Sequence, residues 1–205
     1  MKLGIFGGSF DPVHNGHLLL AGSARDQLTL EEVWFLPAAS QPLKPQGLVA
    51  SERDRLAMLE LALVGQDGFK ADPIEYERGG VSYTVDTLRE IRQLHPEAEL
   101  FFLMGADSLA DIAKWKSPEE ILALATLAVV HRPDAAKLDY SVLEEFTTSE
   151  RIGQCRAVQI EMPPMAVSSS EIRRRILSDE SGWEDSVPEE VAEYITMKRL
   201  YQSDV

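Results

Sequence analysis

The run Gly7-Gly8-Ser9-Phe10-Asp11-Pro12-Val13-His14-Asn15-Gly16-His17-Leu18 constrains this chain more than any other segment. It follows the short apolar stretch Leu3–Phe6. It precedes Leu20, Ala21, Ala24 and Leu28, which recur at helical spacing. A buried strand, a tight turn and a helix start are therefore expected in that order. Paired glycines let a backbone approach an anion closely. A helix N-terminus adds unpaired N–H groups and the positive end of a dipole. His14 and His17, three positions apart, can face one ligand from the helix start, and Gly16 between them leaves room for that ligand to approach the backbone. A metal pair would need further ligands nearby, and Asp11 is the only local carboxylate. The segment reads as a phosphate-holding turn.

The remaining elements follow in alternation. Val33–Leu36 reads as a strand closed by Pro37. Residues 37–47 hold three prolines and Lys44, and read as a loop. Ser51 caps a helix running through Val64, with Asp54 as its capping-box partner. Phe69–Ile74 is a third strand interrupted by Pro73, and Thr84 caps a helix to Leu94. Leu100–Met104 is the clearest strand, ending at Gly105, with a short helix at Ser108–Ala113. Pro118 opens another helix, with Glu119 and Glu120 in its first turn. Leu127–Val130 and Ala157–Ile160 read as strands and Ser141–Phe146 as helical. Ser170–Leu177 and Pro188–Tyr201 are the final helices. Strands alternating with helices predict an α/β fold: a doubly wound, mostly parallel sheet with helices on both faces, plus a small C-terminal helical portion from about 168 to 205. Residues 1–205 read as one domain. Ligands of such sheets sit at the carboxyl ends of strands. The glycine turn, Gly105 and His131-Arg132 all fall at such ends.

With 205 residues, 44% of them apolar, the chain can bury a sizeable core. No apolar run is long enough to span a bilayer, and the Met-Lys-Leu-Gly-Ile-Phe start reads as a first strand rather than a signal peptide. The single cysteine, Cys155, forms no internal disulfide and reads as a small buried side chain, so a cytoplasmic protein is expected. The net charge of −14 disfavours nucleic acid and anionic membranes as partners. An anionic substrate then needs local cations, for which Lys44, Arg132, Arg173, Arg174 and Arg175 are the candidates. The oligomeric state is left open, a homo-oligomer included.

The P-loop pattern and the G-x-G-x-x-G dinucleotide pattern are both absent. The unbroken G-G-x-F-D-P-x-H-x-G-H at Gly7–His17 instead resembles the HxGH nucleotidyltransferases, and within them the bacterial nicotinate-mononucleotide adenylyltransferases. Val167-Ser168-Ser169-Ser170-Glu171-Ile172-Arg173 resembles the family's I-S-S-T-x-I-R. Ser82-Tyr83-Thr84-Val85-Asp86-Thr87-Leu88 and Gly105-Ala106-Asp107-Ser108-Leu109 resemble two further segments. Trp115, His131-Arg132-Pro133 and Val187-Pro188…Tyr194-Ile195 follow in the expected order. The resemblance covers nearly the whole chain. Three features depart from the pattern. Leu43 stands where the family often has histidine before Lys44, Val167 and Ser170 replace isoleucine and threonine, and Asp134 replaces a glycine.

The resemblance implies transfer of the adenylyl group of ATP to nicotinate mononucleotide, releasing pyrophosphate. Magnesium would arrive with ATP, and no separate metal site is implied. It assigns catalytic roles to His14, His17, Lys44 and Arg173. Gly7, Gly8, Ser9, Phe10, Gly16, Gly105, Asp107, Arg132, Ser168 and Ser169 would line the ATP site. Lys44, Tyr83, Thr84 and Trp115 would bind the mononucleotide. Ser168 and Glu171 also make a capping box with no ligand present, and Arg174 and Arg175 are expected in solvent. The alternatives are the same chemistry on nicotinamide mononucleotide or phosphopantetheine, and a regulator that binds nucleotide without turnover.

Overall fold

The computed structural model describes residues 1–40, 48–131 and 137–202. Within them run β1 (Lys2–Gly8), α1 (Asn15–Leu28), β2 (Glu32–Pro37), α2 (Glu52–Ala62), β3 (Phe69–Ala71), α3 (Ile74–Arg78) and α4 (Thr84–Leu94). After these come β4 (Glu99–Gly105), α5 (Ala106–Ala110), α6 (Pro118–Leu124), β5 (Thr126–His131), α7 (Ser149–Ala157), β6 (Ile160–Glu161), α8 (Ser169–Leu177) and α9 (Glu189–Lys198). The strands form one sheet in the order β3-β2-β1-β4-β5-β6, and every pairing is parallel. This is the doubly wound Rossmann order, whose direction reverses between β1 and β4. No helix among the described residues is long and apolar enough to cross a membrane.

Side chains alternate along the strands between two apolar layers. Phe6, Val33, Phe35, Phe101, Leu103 and Val130 face a layer closed by α1, α2, α8 and α9. Leu3, Ile5, Trp34, Leu36, Phe102 and Val129 face a layer closed by α4, α6 and α7. The near-continuous apolar strands are thus explained by burial on both faces. The α4 stripe works as its spacing predicts: Leu88 and Ile91 are fully buried, and each such side chain contributes about 1.5–3 kcal/mol of transfer free energy. Cys155 is fully buried as well.

Ser51 is the cap of α2, its Oγ accepting the Asp54 N–H at 3.1 Å. The short helix after β4 runs Ala106–Ala110 rather than Ser108–Ala113, α2 ends at Ala62 rather than Val64, and the last helix ends at Lys198 rather than Tyr201. Four further boundaries differ from those the sequence suggests. The third strand stops at Ala71 because the Asp72 carboxylate accepts the Ile74 N–H at 3.1 Å. That local turn, together with Pro73, starts α3 instead of continuing the strand. Tyr83 rather than Thr84 occupies the N-cap of α4, and Thr84 is the first helical residue. The helix expected at Ser141–Phe146 is one 3₁₀ turn, Ser141–Leu143. The helix lies later, at Ser149–Ala157, where the Thr148 hydroxyl accepts the Arg151 N–H at 3.3 Å. Because α7 consumes Ala157, the last strand shrinks to Ile160–Glu161.

Candidate active site

The glycine turn lies at the carboxyl end of β1, beside the point where the sheet reverses direction. Gly7 and Gly8 end that strand. A Cβ on Gly7 would make an ordinary contact with the Phe102 ring at 3.8 Å, so local space does not demand glycine there. At Gly8 it does: a Cβ would lie 2.9 Å from the ring of Phe10. Phe10 is fully buried and packs edge-on to Phe6 and His17, with ring centroids 5.5 and 5.0 Å away. Phe10 thus plugs the turn into the core, while Gly7 is exposed and Gly8 partly so.

His14 is the N-cap of α1, and His17 sits one turn further on. The two imidazoles stack, with centroids 3.6 Å apart and planes 18° from parallel. His17 Nδ1 accepts the His14 backbone N–H at 3.1 Å, which leaves the neutral ring's proton on Nε2 as the donor. Burial lowers the His14 pKa from 6.5 to about 4, so this ring is neutral at pH 7. Its Nδ1 is buried without a hydrogen-bond partner among the described residues.

The second signature closes on the first. Ser168 caps α8, its Oγ accepting the Glu171 N–H at 3.2 Å. The reciprocal half of the expected capping box is missing, since the Glu171 carboxylate is taken by Arg174 at 2.7 Å. Ser169 Oγ donates to the Pro12 carbonyl at 2.9 Å, and Arg173 Nη1 donates to the Asp11 carbonyl at 2.6 Å. Gly16 lies at this seam. A Cβ there would sit 2.8 Å from Val167 Cγ1 and 3.1 Å from the His14 ring. The space beside Gly16 is therefore filled by the second signature, and its glycine serves contact between the two segments rather than approach of a ligand. Arg174 is exposed in ion pairs with Glu171 and Glu180, and Arg175 donates to the carbonyls of Ser181 and Gly182.

Two buried residues organise this seam and carried no assigned role in the sequence. Asp11, 2% exposed, accepts the Val49 N–H at 2.8 Å, the Ala50 N–H at 3.1 Å and the Tyr201 hydroxyl at 2.8 Å. Its carboxylate also lies 4.0 Å from Arg173. It ties the first turn to the end of the long loop, to the last described turn and to α8. Burial and the Asp11 carboxylate hold the Tyr201 phenol protonated far above its usual range. Arg55, 1% exposed, donates through Nη1 to the carbonyls of Ser9 at 2.9 Å and Ala38 at 2.7 Å. It fastens the glycine turn to the end of β2. Asp11 was visible inside the motif; Arg55 looks in sequence like any charge in Glu52-Arg53-Asp54-Arg55.

A second group flanks the turn. Ala38 N–H donates to the Gly8 carbonyl at 2.9 Å, and Ala39 N–H to Ser82 Oγ at 2.9 Å, which brings Tyr83 and Thr84 beside the end of β2. Trp115 is half-buried, edge-on to Phe102 with centroids 5.7 Å apart. Its neighbour Lys116 reaches back to α4, with Nζ 4.5 Å from the Tyr83 ring and 2.8 Å from Asp86. Gly105 is the N-cap of α5, and Asp107 is exposed in its first turn. Lys44 and Arg132, and the departures Leu43 and Asp134, lie outside the described residues.

Comparison with known proteins agrees with this architecture. The cytidylyltransferase-like family model matches residues 5–175. A protein of Rhodopirellula baltica named "Probable nicotinate-nucleotide adenylyltransferase" is 45% identical over 200 residues, covering 98% of this chain and 93% of the relative. A Geobacillus thermodenitrificans protein of the same name is 40% identical over 201 residues, covering 98% and 86%. Among solved structures, the Plasmodium falciparum nicotinic acid mononucleotide adenylyltransferase complexed with NaAD superposes with a TM-score of 0.76 at 19% identity, over 98% of this chain and 97% of that one. Its complex with APC gives 0.73 at 18% identity, over 98% and 96%. A family model that spans both signatures, and relatives aligned nearly end to end, place the chain plainly: it belongs to the cytidylyltransferase-like nucleotidyltransferases, alongside the nicotinate-nucleotide adenylyltransferases.

Proposed function

We propose that this chain transfers the adenylyl group of ATP to nicotinate mononucleotide, giving the deamido dinucleotide and pyrophosphate. The observation that carries the reading is the seam itself. Two signatures about 150 residues apart in sequence, each opening a helix, are packed together at the carboxyl end of β1 through Gly16, Val167, Arg173 and Asp11. The names of the relatives supply the acceptor.

The mononucleotide phosphate oxygen attacks the α-phosphorus of ATP. That P–O bond forms as the bond to the β-phosphate oxygen breaks, and the electron pair leaves with pyrophosphate. The nucleophile is already ionised at neutral pH, so alignment and charge neutralisation do the work. His17 donates through Nε2, and the neutral His14 acts as a dipolar donor rather than a cation. Arg173 and the starts of α1 and α8 supply the positive field. Gly7, Ser9 and Ser168–Ser169 border the triphosphate, with Gly8, Phe10 and Gly16 shaping the turn. Gly105 and Asp107 lie toward the nucleoside. Tyr83, Thr84 and Trp115 form the acceptor side, where N–H groups at the start of α4 suit a carboxylate and the indole suits an aromatic ring. Lys44 is assigned to phosphate, and Arg132 to the adenine side or the phosphates of ATP, by their place in the motifs alone. Magnesium enters bound to ATP, as part of the substrate.

We propose further that residues 1–205 act as one domain in the cytoplasm. Supporting this are an apolar layer running from Phe6 to Tyr201 and a single, buried cysteine.

The test is a panel of acceptors with ATP, read as pyrophosphate release. Nicotinate mononucleotide is expected to turn over fastest. Faster turnover of nicotinamide mononucleotide or phosphopantetheine would reassign the acceptor, and ATP binding with no release for any acceptor would make the chain a nucleotide-binding regulator.

A further inference from the structure

At the opposite rim, where the strands begin, lies a cleft of about 730 Å³. Lys2 at the start of β1, Arg92 on α4 and Arg151 on α7 line it together, with Thr29 and Gln154 as neutral polar groups and Glu99 as its one carboxylate. Acidic residues outnumber basic ones 34 to 20 in this chain, so three cations against one carboxylate is a reversal of the surrounding charge. None of the three is in an ion pair with a carboxylate among the described residues. The Lys2 ammonium lies 6.0 Å from the Phe101 ring. Among the described residues Arg92 donates to the carbonyls of Pro96, Ala98 and Leu124, at 3.0, 2.6 and 3.1 Å. Arg151 donates to the Leu122 carbonyl at 2.7 Å and to Gln154 Oε1 at 2.6 Å.

Those carbonyl bonds fix both guanidinium planes without cancelling their charge. Each plane keeps N–H groups unspent: a guanidinium carries five, and these bonds engage only some of them. Two of the accepting carbonyls, Leu122 and Leu124, belong to the last turn of α6, whose partial negative charge is too small to neutralise two guanidiniums. Oriented, unpaired cations around a cleft of this size are what a compact polyanion requires.

We propose that this cleft binds a small ligand carrying adjacent phosphate groups, separate from the nucleotide site at the other end of the sheet. The test is a titration of the full chain with inorganic tripolyphosphate, followed by amide NMR. Shifts are expected at Thr29, Phe101 and Val158, weakening as salt rises. They are to be read separately from any shifts at Gly7–Phe10, which report the glycine turn. The Lys2 side chain makes no hydrogen bond among the described residues, and Lys2→Glu should weaken the cleft response by about tenfold or more and leave the response at Gly7–Phe10 unchanged. Arg151→Glu should do the same, and Lys2→Glu decides alone if the loss of the Leu122 contact unfolds it. Shifts confined to Gly7–Phe10, or a cleft response that survives Lys2→Glu, would overturn the proposal. Silence at Gly7–Phe10 with a cleft response would count against the glycine turn as a phosphate site and not against the cleft.

Discussion

Replacing Gly16 by alanine adds one methyl group at the seam between the two signatures. Gly16 lies in the first turn of α1, so the backbone accepts alanine and gains up to about 1 kcal/mol of helix propensity. The new carbon would sit 2.8 Å from Val167 Cγ1 and 3.1 Å from the His14 ring. Valine is stiff at χ1, so relief comes from moving the segment that leads into α8. Overpacking of this kind costs about 1–3 kcal/mol, and the net loss of stability should be about 0–2 kcal/mol. Activity should fall further than stability. Ser169 and Arg173 lie in the segment that Val167 leads into, and a misplacement of about 1 Å can cost on the order of 100-fold. We expect kcat/KM, measured by pyrophosphate release, to drop by about 10- to 100-fold, while urea unfolding shows a folded protein. Val167→Ala removes Cγ1, so in the Gly16→Ala background it should restore most of the lost activity. An unchanged kcat/KM in the single variant, or a double variant no better than the single, would refute the claim that Gly16 exists for contact between the signatures.

His17→Ala should lower kcat by about 100-fold or more, as loss of a donor that matters most in the transition state, while the protein stays folded with about 1–3 kcal/mol less stability from the lost His14 N–H bond; an unchanged kcat would remove His17 from the mechanism. Trp115→Ala should raise KM for the mononucleotide several-fold more than KM for ATP, checked by initial rates with each substrate varied in turn; equal effects would make Trp115 structural. Tyr201→Phe deletes one of the three donors on the Asp11 carboxylate and should cost about 1–2 kcal/mol in urea unfolding. His14 has its pKa lowered from 6.5 to about 4 in the folded chain, so the unfolded chain binds a proton first as pH falls. The stability tied to its neutral ring is complete above pH 6.5 and lost on descending toward pH 4, up to about 3 kcal/mol. His14→Asn should flatten the pH dependence of unfolding over that window, and an identical slope in the variant would contradict the depressed pKa.

Strand and helix succession was legible because burial on both faces makes Leu3–Phe6 and Leu100–Met104 nearly continuous apolar runs, and α4 carries a clean stripe. The errors fell where a single side chain decides the matter. Asp72 turns the chain before Ile74, and Thr148 caps a helix whose own pattern is weak. The two signatures were readable from their residues, but not their packing. That Gly16 faces Val167, or that Gly8 makes way for Phe10, depends on distances between segments. Arg55 was invisible for a related reason. A buried arginine whose hydrogen bonds among the described residues go to the carbonyls of Ser9 and Ala38 leaves no oppositely charged partner in the sequence to betray it.

The Tyr201–Asp11 bond joins residues 190 positions apart. A nascent polypeptide emerging from the ribosome can assemble β1, α1 and even α8 well before residue 201 exists, but the carboxylate beneath the glycine turn stays one donor short until then. Chains released early should therefore be able to fold much of the sheet while lacking the last tether on that turn, so competence to turn over substrate would arrive late in synthesis.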